Sequence, residues 1–477
     1  MKVIPKVLLS DSIRDCVVVI NRFSKQIAFV LDQAKLVGVV TDGDVRRHIA
    51  NGGNLDDKIS LAMRRDFFAL PVTSDSKTIR ENFSKRIKYI PLVDENGCLV
   101  DVADPNGNFR IPVHEPSMKG NELKYLTQCV EENWISSQGK FVNEFERKFE
   151  NLHPNTFALS VSNGTTALHL ALISLGIGPG DEVILPDLTF AASANAVLHA
   201  GASPVLCEIE QDTWCISAKE AEKLIGPKTK AIMTVHLYGQ PCKMDKIQSI
   251  CHKYGLLLIE DCAEALGSKW NSQLVGTFGD ASTFSFFGNK TISTGEGGMI
   301  LFKDPKTAEK AKMIRDHGMS KNKRYWHEVI GYNYRMTNLQ AAVGVAQMEK
   351  LDLIVEKKRE ILEEYSQKLH DVKGIISLPF LNKKITHSNW LFGIILQKSS
   401  LRETLMNQLL GFGIETRYFF YPLHTMPPYR GFKRSTDLKI CNDISSKGLS
   451  LPCSINLSPI DIDFITNNII LILKEYG

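Results

Sequence analysis

No stretch of this 477-residue chain approaches the roughly 20 consecutive apolar residues that a membrane-spanning helix needs. The apolar run after Met1, Lys2 and Val3 is broken early by Asp11, Arg14 and Asp15, which argues against a secretory signal. The ten cysteines include no Cys-x-x-Cys pair and no His/Cys cluster at zinc spacing, so no metal site is expected. They read as reduced, mostly buried thiols of a soluble cytoplasmic protein. A net charge of +4 gives no reason to invoke nucleic acid and leaves charged small ligands open. Low-complexity segments are missing as well.

What is present is ordinary globular material, 43% hydrophobic and 23% charged, on a chain long enough for two or three domains. In the first hundred residues, β-rich runs (Ile27–Leu31, Leu36–Val40, Tyr89–Val93) alternate with helix-compatible segments at Asp42–Ala50 and Lys77–Arg86. Turns at Asp32–Lys35 and Asp94–Gly97 suggest an internal duplication of a small α/β unit. The Pro, Gly and Asn residues of 104–108 read as a linker.

From Ile111 onward the pattern changes. Short continuous apolar runs at Glu182–Pro186, Pro204–Ile209, Ala231–His236, Leu256–Asp261 and Met299–Phe302 are expected as strands buried on both faces. Amphipathic helices such as Thr166–Leu175, stopped by Gly176, lie between them. This alternation predicts an α/β class with an open, mainly parallel sheet. A long helical stretch from the N-cap at Thr337-Asn338 towards His370 leads into a smaller α+β region holding Leu391–Leu396, Leu401–Leu410 and Tyr418–Tyr421. The expected domains are 1–108, 109–350 and 351–477.

Lys290 sits between the apolar run Thr283–Phe287 and the turn Gly295-Glu296-Gly297-Gly298. A loop lysine is ordinarily a solvated charge. Held at the edge of a packed core, an amine loses solvation, its pKa falls and it becomes a Schiff-base nucleophile. Three pieces fit an aldehyde cofactor there. Ser162-Asn163-Gly164-Thr165-Thr166 opens a helix and offers backbone N–H groups to a phosphate, or is an ordinary cap. Asp261 ends a strand and suits a pyridine nitrogen, or is an N-cap. Phe190 stacks on a flat ring, or is core. Their joint order along the chain favours the cofactor reading.

Ser162–Thr165, Glu260–Gly267, Phe284–Gly298 and Gly331–Met336 together resemble the sugar aminotransferase family of fold-type I, which depends on pyridoxal 5'-phosphate. The resemblance covers Ile111 to Gly477. It implies that Lys290 bears the cofactor as an internal aldimine and that Asp261 pairs with the ring nitrogen. Gly164, Thr165 and Ser285 would hold the phosphate and Phe190 the ring, with Ser162, Asn163 and Glu264 also in the cofactor site. Asn333 and Arg335 would reach the neighbouring site of a homodimer, although Asn333 alone reads equally as a turn residue.

Segments 111–117, 134–139, 287–292, 414–417 and 421–424 resemble members acting on GDP-linked sugars, which implicates Trp134, Ser136, Ser137, Arg417 and His424 in substrate binding. The implied reaction is ping-pong transfer of an amino group from L-glutamate to a nucleotide-linked 4-keto-6-deoxy sugar, as for surface polysaccharides. Amination at C3, or of UDP- or dTDP-linked sugars, stays open. A related branch with His at the lysine position dehydrates instead, and Lys290 argues against it. A non-catalytic regulatory protein on the same fold is the rival from another class; a decayed site would have lost Lys290, Asp261 or the phosphate loop, and all three stand.

Gly38–Asp44 resembles the signature of a CBS domain, with Thr41 placed for phosphate and Asp44 for ribose hydroxyls of an adenine nucleotide. A second copy near 92–104 departs from that pattern, with Asp101 and Asp104 at the signature positions. The region is therefore expected to be a CBS-domain pair with at most one intact site, either a nucleotide sensor or a packing module.

Overall fold

A computed structural model of the chain describes residues 4–23, 26–74, 82, 87–104 and 111–476. Apart from Asn82 and Asp104, the helix expected at 77–86 and the linker at 104–108 lie outside these residues. The chain divides into two compact units, Met1–Pro112 with Thr404–Glu415 and Ser458–Glu475, and Val113–Glu403 with Thr416–Leu457 and Tyr476–Gly477.

The first unit holds two small sheets of one pairing scheme. Strands β1 (Lys6–Leu8), β2 (Ile27–Asp32) and β3 (Lys35–Thr41) form one sheet, with β1 parallel and β3 antiparallel to β2. Strands β4 (Leu70–Pro71), β5 (Ile90–Val93) and β6 (Leu99–Ala103) repeat that scheme around β5. The two hairpins meet at their turns, where the Leu36 N–H donates to the Gly97 carbonyl at 3.0 Å. Phe29, Leu31 and Leu36 share a buried cluster with Leu99 and Val102. The helix Asp42–Ala50 starts as expected, with Thr41 and Asp44 forming a reciprocal capping box.

In the second unit, the strands are β7 (Phe157–Val161), β8 (Glu182–Pro186), β9 (Ser203–Cys207), β10 (Thr229–Val235), β11 (Leu257–Asp261), β14 (Ala281–Ser285) and β15 (Gly298–Phe302). They form one sheet in the order β7-β15-β14-β11-β10-β8-β9. Strand β15 is antiparallel to both its neighbours, and every other pairing is parallel. The sheet is thus mainly parallel but mixed. Strand β7 escapes the apolar-run criterion, and β14 is anticipated only from Thr283 onward, because Ser and Thr dilute them (Phe-Ala-Leu-Ser-Val and Ala-Ser-Thr-Phe-Ser). Those hydroxyls are nonetheless satisfied inside: Ser160 Oγ donates to Glu146 and Ser282 Oγ to the Gly276 carbonyl.

Two smaller sheets complete the unit. Strands β12 (Lys269–Trp270) and β13 (Gln273–Leu274) join β17 (Ile385–Thr386). Strands β16 (Ile375–Ser377), β18 (Phe392–Leu396), β20 (Gly448–Leu451) and β19 (Arg417–Tyr418) form an antiparallel sheet in that order. Of the segment 418–421 singled out in the sequence, only Tyr418 lies in a strand. The long helix expected from Thr337 is two, Asn338–Met348 and Leu351–Leu369. Lys350 leaves helical geometry between them (φ −110°). Its amine is drawn to the Ser117 carbonyl at 2.9 Å and to Glu122.

Helix Asn338–Met348 packs on helix Lys140–Leu152 with Gly344 against the Phe145 ring; a Cβ there would sit 2.7 Å from the ring. Gly344→Val should destabilise the protein by about 1–3 kcal/mol, the usual cost of overpacking. Urea unfolding should show a lower midpoint, and an unchanged midpoint would contradict this packing.

Candidate active site

Parallel strands end on one edge of the sheet, and the chemistry gathers there. Asp261 closes β11 and Ser285 closes β14. The helix Gly164–Ser174 opens just after β7, with Asn163 as N-cap accepting the Thr166 N–H at 2.9 Å. Gly164 lets this helix end touch β14, since a Cβ on it would lie 2.8 Å from Ser285 Cβ. The free N–H groups of the first turn and the Ser285 hydroxyl thereby face one cavity of about 920 Å³.

That cavity brings together Asn163, Gly164, Thr165, Phe190, Asp261, Glu264, Ser285, Lys290 and Arg417, all singled out in the sequence. Lys290 stands on a loop that closes on itself: the Phe286 N–H donates to the Gly297 carbonyl at 2.9 Å, and the Thr294 N–H returns to the Phe286 carbonyl at 2.9 Å. Phe286 and Ile292 bury the loop's inner side. Lys290 Nζ lies 3.6 Å from Glu264 Oε1. Burial pulls the Lys290 amine below the ordinary lysine range, against the opposing pull of Glu264 and Asp261.

Asp261 accepts the Ser193 hydroxyl at 2.8 Å and the Ala263 N–H at 3.1 Å. Burial nevertheless pushes its carboxyl up. Glu264 accepts the Tyr238 N–H at 2.8 Å, and burial carries its pKa up to about 7. Tyr238 makes that bond from a left-handed conformation (φ 56°), sparsely populated for an aromatic residue. Below Asp261, the buried Glu260 accepts N–H groups of Gly276, Phe278 and Gly279 and pairs with His236 at 3.1 Å. Burial opposes its ionisation, but His236 and these donors overcome it and hold the carboxyl below its usual range. His236, Glu260 and Cys262 form the single cluster of metal-ligand type among the described residues, and the first two are engaged in this brace.

Other predicted positions fall elsewhere. Ser162 donates its N–H to the Tyr334 carbonyl and does not line the cavity. His424 is likewise outside it, its Nδ1 bonded to buried Asp187 at 2.5 Å. Trp134 and Ser137 line a separate cavity of about 560 Å³ together with Arg335. The Ser136 carbonyl accepts the Asn338 N–H at 2.8 Å. Asn333 and Arg335 bond each other at 3.2 Å, and Arg335 pairs with Asp316 at 2.9 Å. So within one chain neither residue reaches Lys290's cavity. In the first unit, Asp44 is buried, and its carboxylate takes the Thr41 N–H and hydroxyl, Arg64 Nε at 2.6 Å, and Arg47.

Three site residues had no sequence signal. Ser193 lies in an alanine-rich helix, Tyr238 is marked only by its backbone, and Trp390 arrives from the small-sheet region to place its ring 3.8 Å from Lys290 Nζ.

The profile of the DegT/DnrJ/EryC1/StrS aminotransferase family matches residues 116–470, and that of the CBS domain matches residues 1–51. The chain is 44% identical to the GDP-perosamine synthase of Escherichia coli O157:H7, over 75% of this chain and 97% of that protein. It is 46% identical to the GDP-perosamine synthase of Vibrio cholerae, over 72% of this chain and 93% of that protein. A putative sugar aminotransferase of Streptococcus pneumoniae, solved in its PMP form, superposes with a TM-score of 0.73 at 25% identity, covering 77% of this chain and 98% of that one. No helix among the described residues is long and apolar enough to cross a membrane.

The raised Glu264 pKa fixes a pH signature. Ionisation begins near the ordinary value of 4.5 in the unfolded chain and near 7 in the folded one, so the folded state binds more protons between them. The stability this group contributes is present below pH 4.5 and falls as pH rises to about 7. In protein stripped of small ligands, Glu264→Gln should flatten the stability–pH curve across that window, as measured by urea midpoints. An identical slope in both proteins would contradict it.

Proposed function

Because this chain belongs to the DegT/DnrJ/EryC1/StrS aminotransferase family, and is a pyridoxal-phosphate-dependent enzyme, we propose that it transfers an amino group from L-glutamate to a GDP-linked 4-keto-6-deoxy sugar. The observation that carries this reading is the convergence of Lys290, Asp261, Glu264 and the Gly164–Thr165 helix end in one cavity. The donor set fits the cofactor: a buried carboxylate for a ring nitrogen, a helix N-terminus with a hydroxyl for a phosphate, and a partly buried amine for an aldehyde.

In this reading Lys290 holds the aldehyde, Asp261 the ring nitrogen, Gly164, Thr165 and Ser285 the phosphate, and Phe190 the ring face. When bound, the cofactor supplies an electron sink that stabilises negative charge at the carbon losing a proton. The chain supplies the rest. Lys290 Nζ moves the proton at the donor's α-carbon, an exchange that its lowered proton affinity favours near neutral pH. Asp261, whose ionisation burial opposes, would be held charged by a protonated ring nitrogen, and Glu264 steadies the amine from 3.6 Å. Arg417, exposed towards the cavity, suits an anionic group of either substrate.

We extend the reading to a cytoplasmic homodimer with shared sites. Support comes from Asn333 and Arg335, which face away from their own chain's cavity, and from the exposed Tyr325, Trp326 and Ile330 just before them in sequence. The first unit is read as a CBS-domain pair, supported by its repeated sheet scheme, with an adenine nucleotide as ligand near Thr41.

Borohydride reduction followed by peptide mapping should place the pyridoxyl label on Lys290, and Lys290→Ala should lose at least a thousandfold in transamination. Label on another peptide would refute the anchor. Against GDP-, UDP- and dTDP-linked 4-keto sugars with glutamate, mass spectrometry should show amination of the GDP sugar; reaction of another sugar alone would overturn that choice. Titration calorimetry with AMP and ATP should give heat, and silence with both would reduce the first unit to a packing module.

A further inference from the structure

Trp390 holds no role in the reaction described above, yet it is tied to the Lys290 site on three sides. Its indole N–H donates to the carbonyl of Asn289, the residue directly before Lys290, at 2.5 Å. Its own carbonyl accepts Lys358 Nζ at 3.1 Å. Lys358 is fully buried and also donates to the Cys453 carbonyl at 2.7 Å, so this amine clamps two segments of the small-sheet region. The next residue, Leu391, donates its N–H to the carbonyl of Tyr238, whose own N–H holds Glu264. Held in this way, the Trp390 side chain is 3% exposed, and its ring centroid lies 3.8 Å from Lys290 Nζ.

We propose that Trp390 is a positioning residue for the Lys290 amine: its indole face receives the ammonium that forms when the freed amine takes up a proton, while its N–H fixes the peptide that carries it. The inference rests on Lys290 as the cofactor anchor. An indole face attracts a cation through its quadrupole, and the attraction grows where water is excluded. It therefore favours the ammonium over the neutral amine and offsets part of what burial does to Lys290. The consequence is that a proton taken up by the freed lysine is held on an ammonium with a fixed place beside Glu264.

Several other charges face the same amine. Glu264 and Asp261 favour the ammonium. Arg417 lines the cavity, and His114, within electrostatic reach of Lys290, is driven towards its neutral form by burial and by Lys358, Arg417 and Lys290. None of these groups is itself altered by a substitution at Trp390, so comparison of a variant that keeps a π face with one that does not isolates the ring.

The test uses the full chain freed of cofactor with hydroxylamine, pulsed with acetic anhydride at a series of pH values, with Lys290 acetylation read by peptide mapping. Trp390→Leu should move the labelling midpoint down by about one pH unit, the size of a desolvated cation–π contact. Trp390→Phe keeps a π face and loses the N–H, and should move it by less than half as much. An unshifted midpoint in the Leu variant, or equal shifts in both variants, would overturn the proposal. Borohydride label away from Lys290 in untreated protein would instead mark failure of the anchor reading, so the two failures are distinguishable.

Discussion

Removal of water from three ionisable groups at one edge of the sheet is the constraint on which the site depends. Asp261, Glu264 and Lys290 are each within hydrogen-bonding or ion-pair reach of a partner, yet burial dominates all three. The carboxyls move up and the amine moves down, so all three approach the neutral range from opposite sides. In water they would be two fixed anions and one fixed cation. The surrounding fold backs that arrangement with apolar packing, in which Phe284, Phe286 and Ile292 share one buried cluster with Cys262 and Ala265.

The strain at Tyr238 belongs to the same constraint. An aromatic residue in a left-handed conformation costs on the order of 1–3 kcal/mol. Here that conformation aims an N–H at Glu264, while the Tyr238 hydroxyl accepts the Phe420 N–H at 3.0 Å and its carbonyl holds Leu391. One strained residue thereby links the large sheet's edge to the strands that bring Arg417 and Trp390. Pre-organisation of this kind fixes the polar groups in advance of any substrate.

The site was legible where function imposes a local pattern. Lys290 sits between an apolar strand and glycines because its loop must turn tightly beside a core, and Gly164 is glycine because Ser285 stands against it. Asp261 was readable because it ends an apolar strand. Tyr238, Ser193 and Trp390 were not, since each acts through a tertiary contact without a neighbouring motif. The fold followed the same rule. Among the apolar strands, β8 was found to the residue and β9, β10, β11 and β15 to within two residues at either end, whereas β7 was hidden and the start of β14 obscured by hydroxyl residues whose partners are remote in sequence. The break at Lys350 was equally unreadable, because Glu122 and Ser117 impose it from more than two hundred residues away.

The first unit poses a different balance. Its Asp44 carboxylate is buried and, despite burial's opposite push, held below the usual carboxylate range by the Thr41 hydroxyl and Arg64. With Thr41 as the cap of helix Asp42–Ala50, the same carboxylate also completes the capping box. A ribose would compete with two guanidinium groups for Asp44, a poor exchange of charge-assisted bonds for neutral ones. A phosphate would instead draw Arg47 and Arg64 outward and leave Asp44 to the sugar. On the proposed nucleotide reading, ligand entry would require these arginines to rearrange, and Val39, which pairs through its backbone with Arg64, would carry that change towards β3.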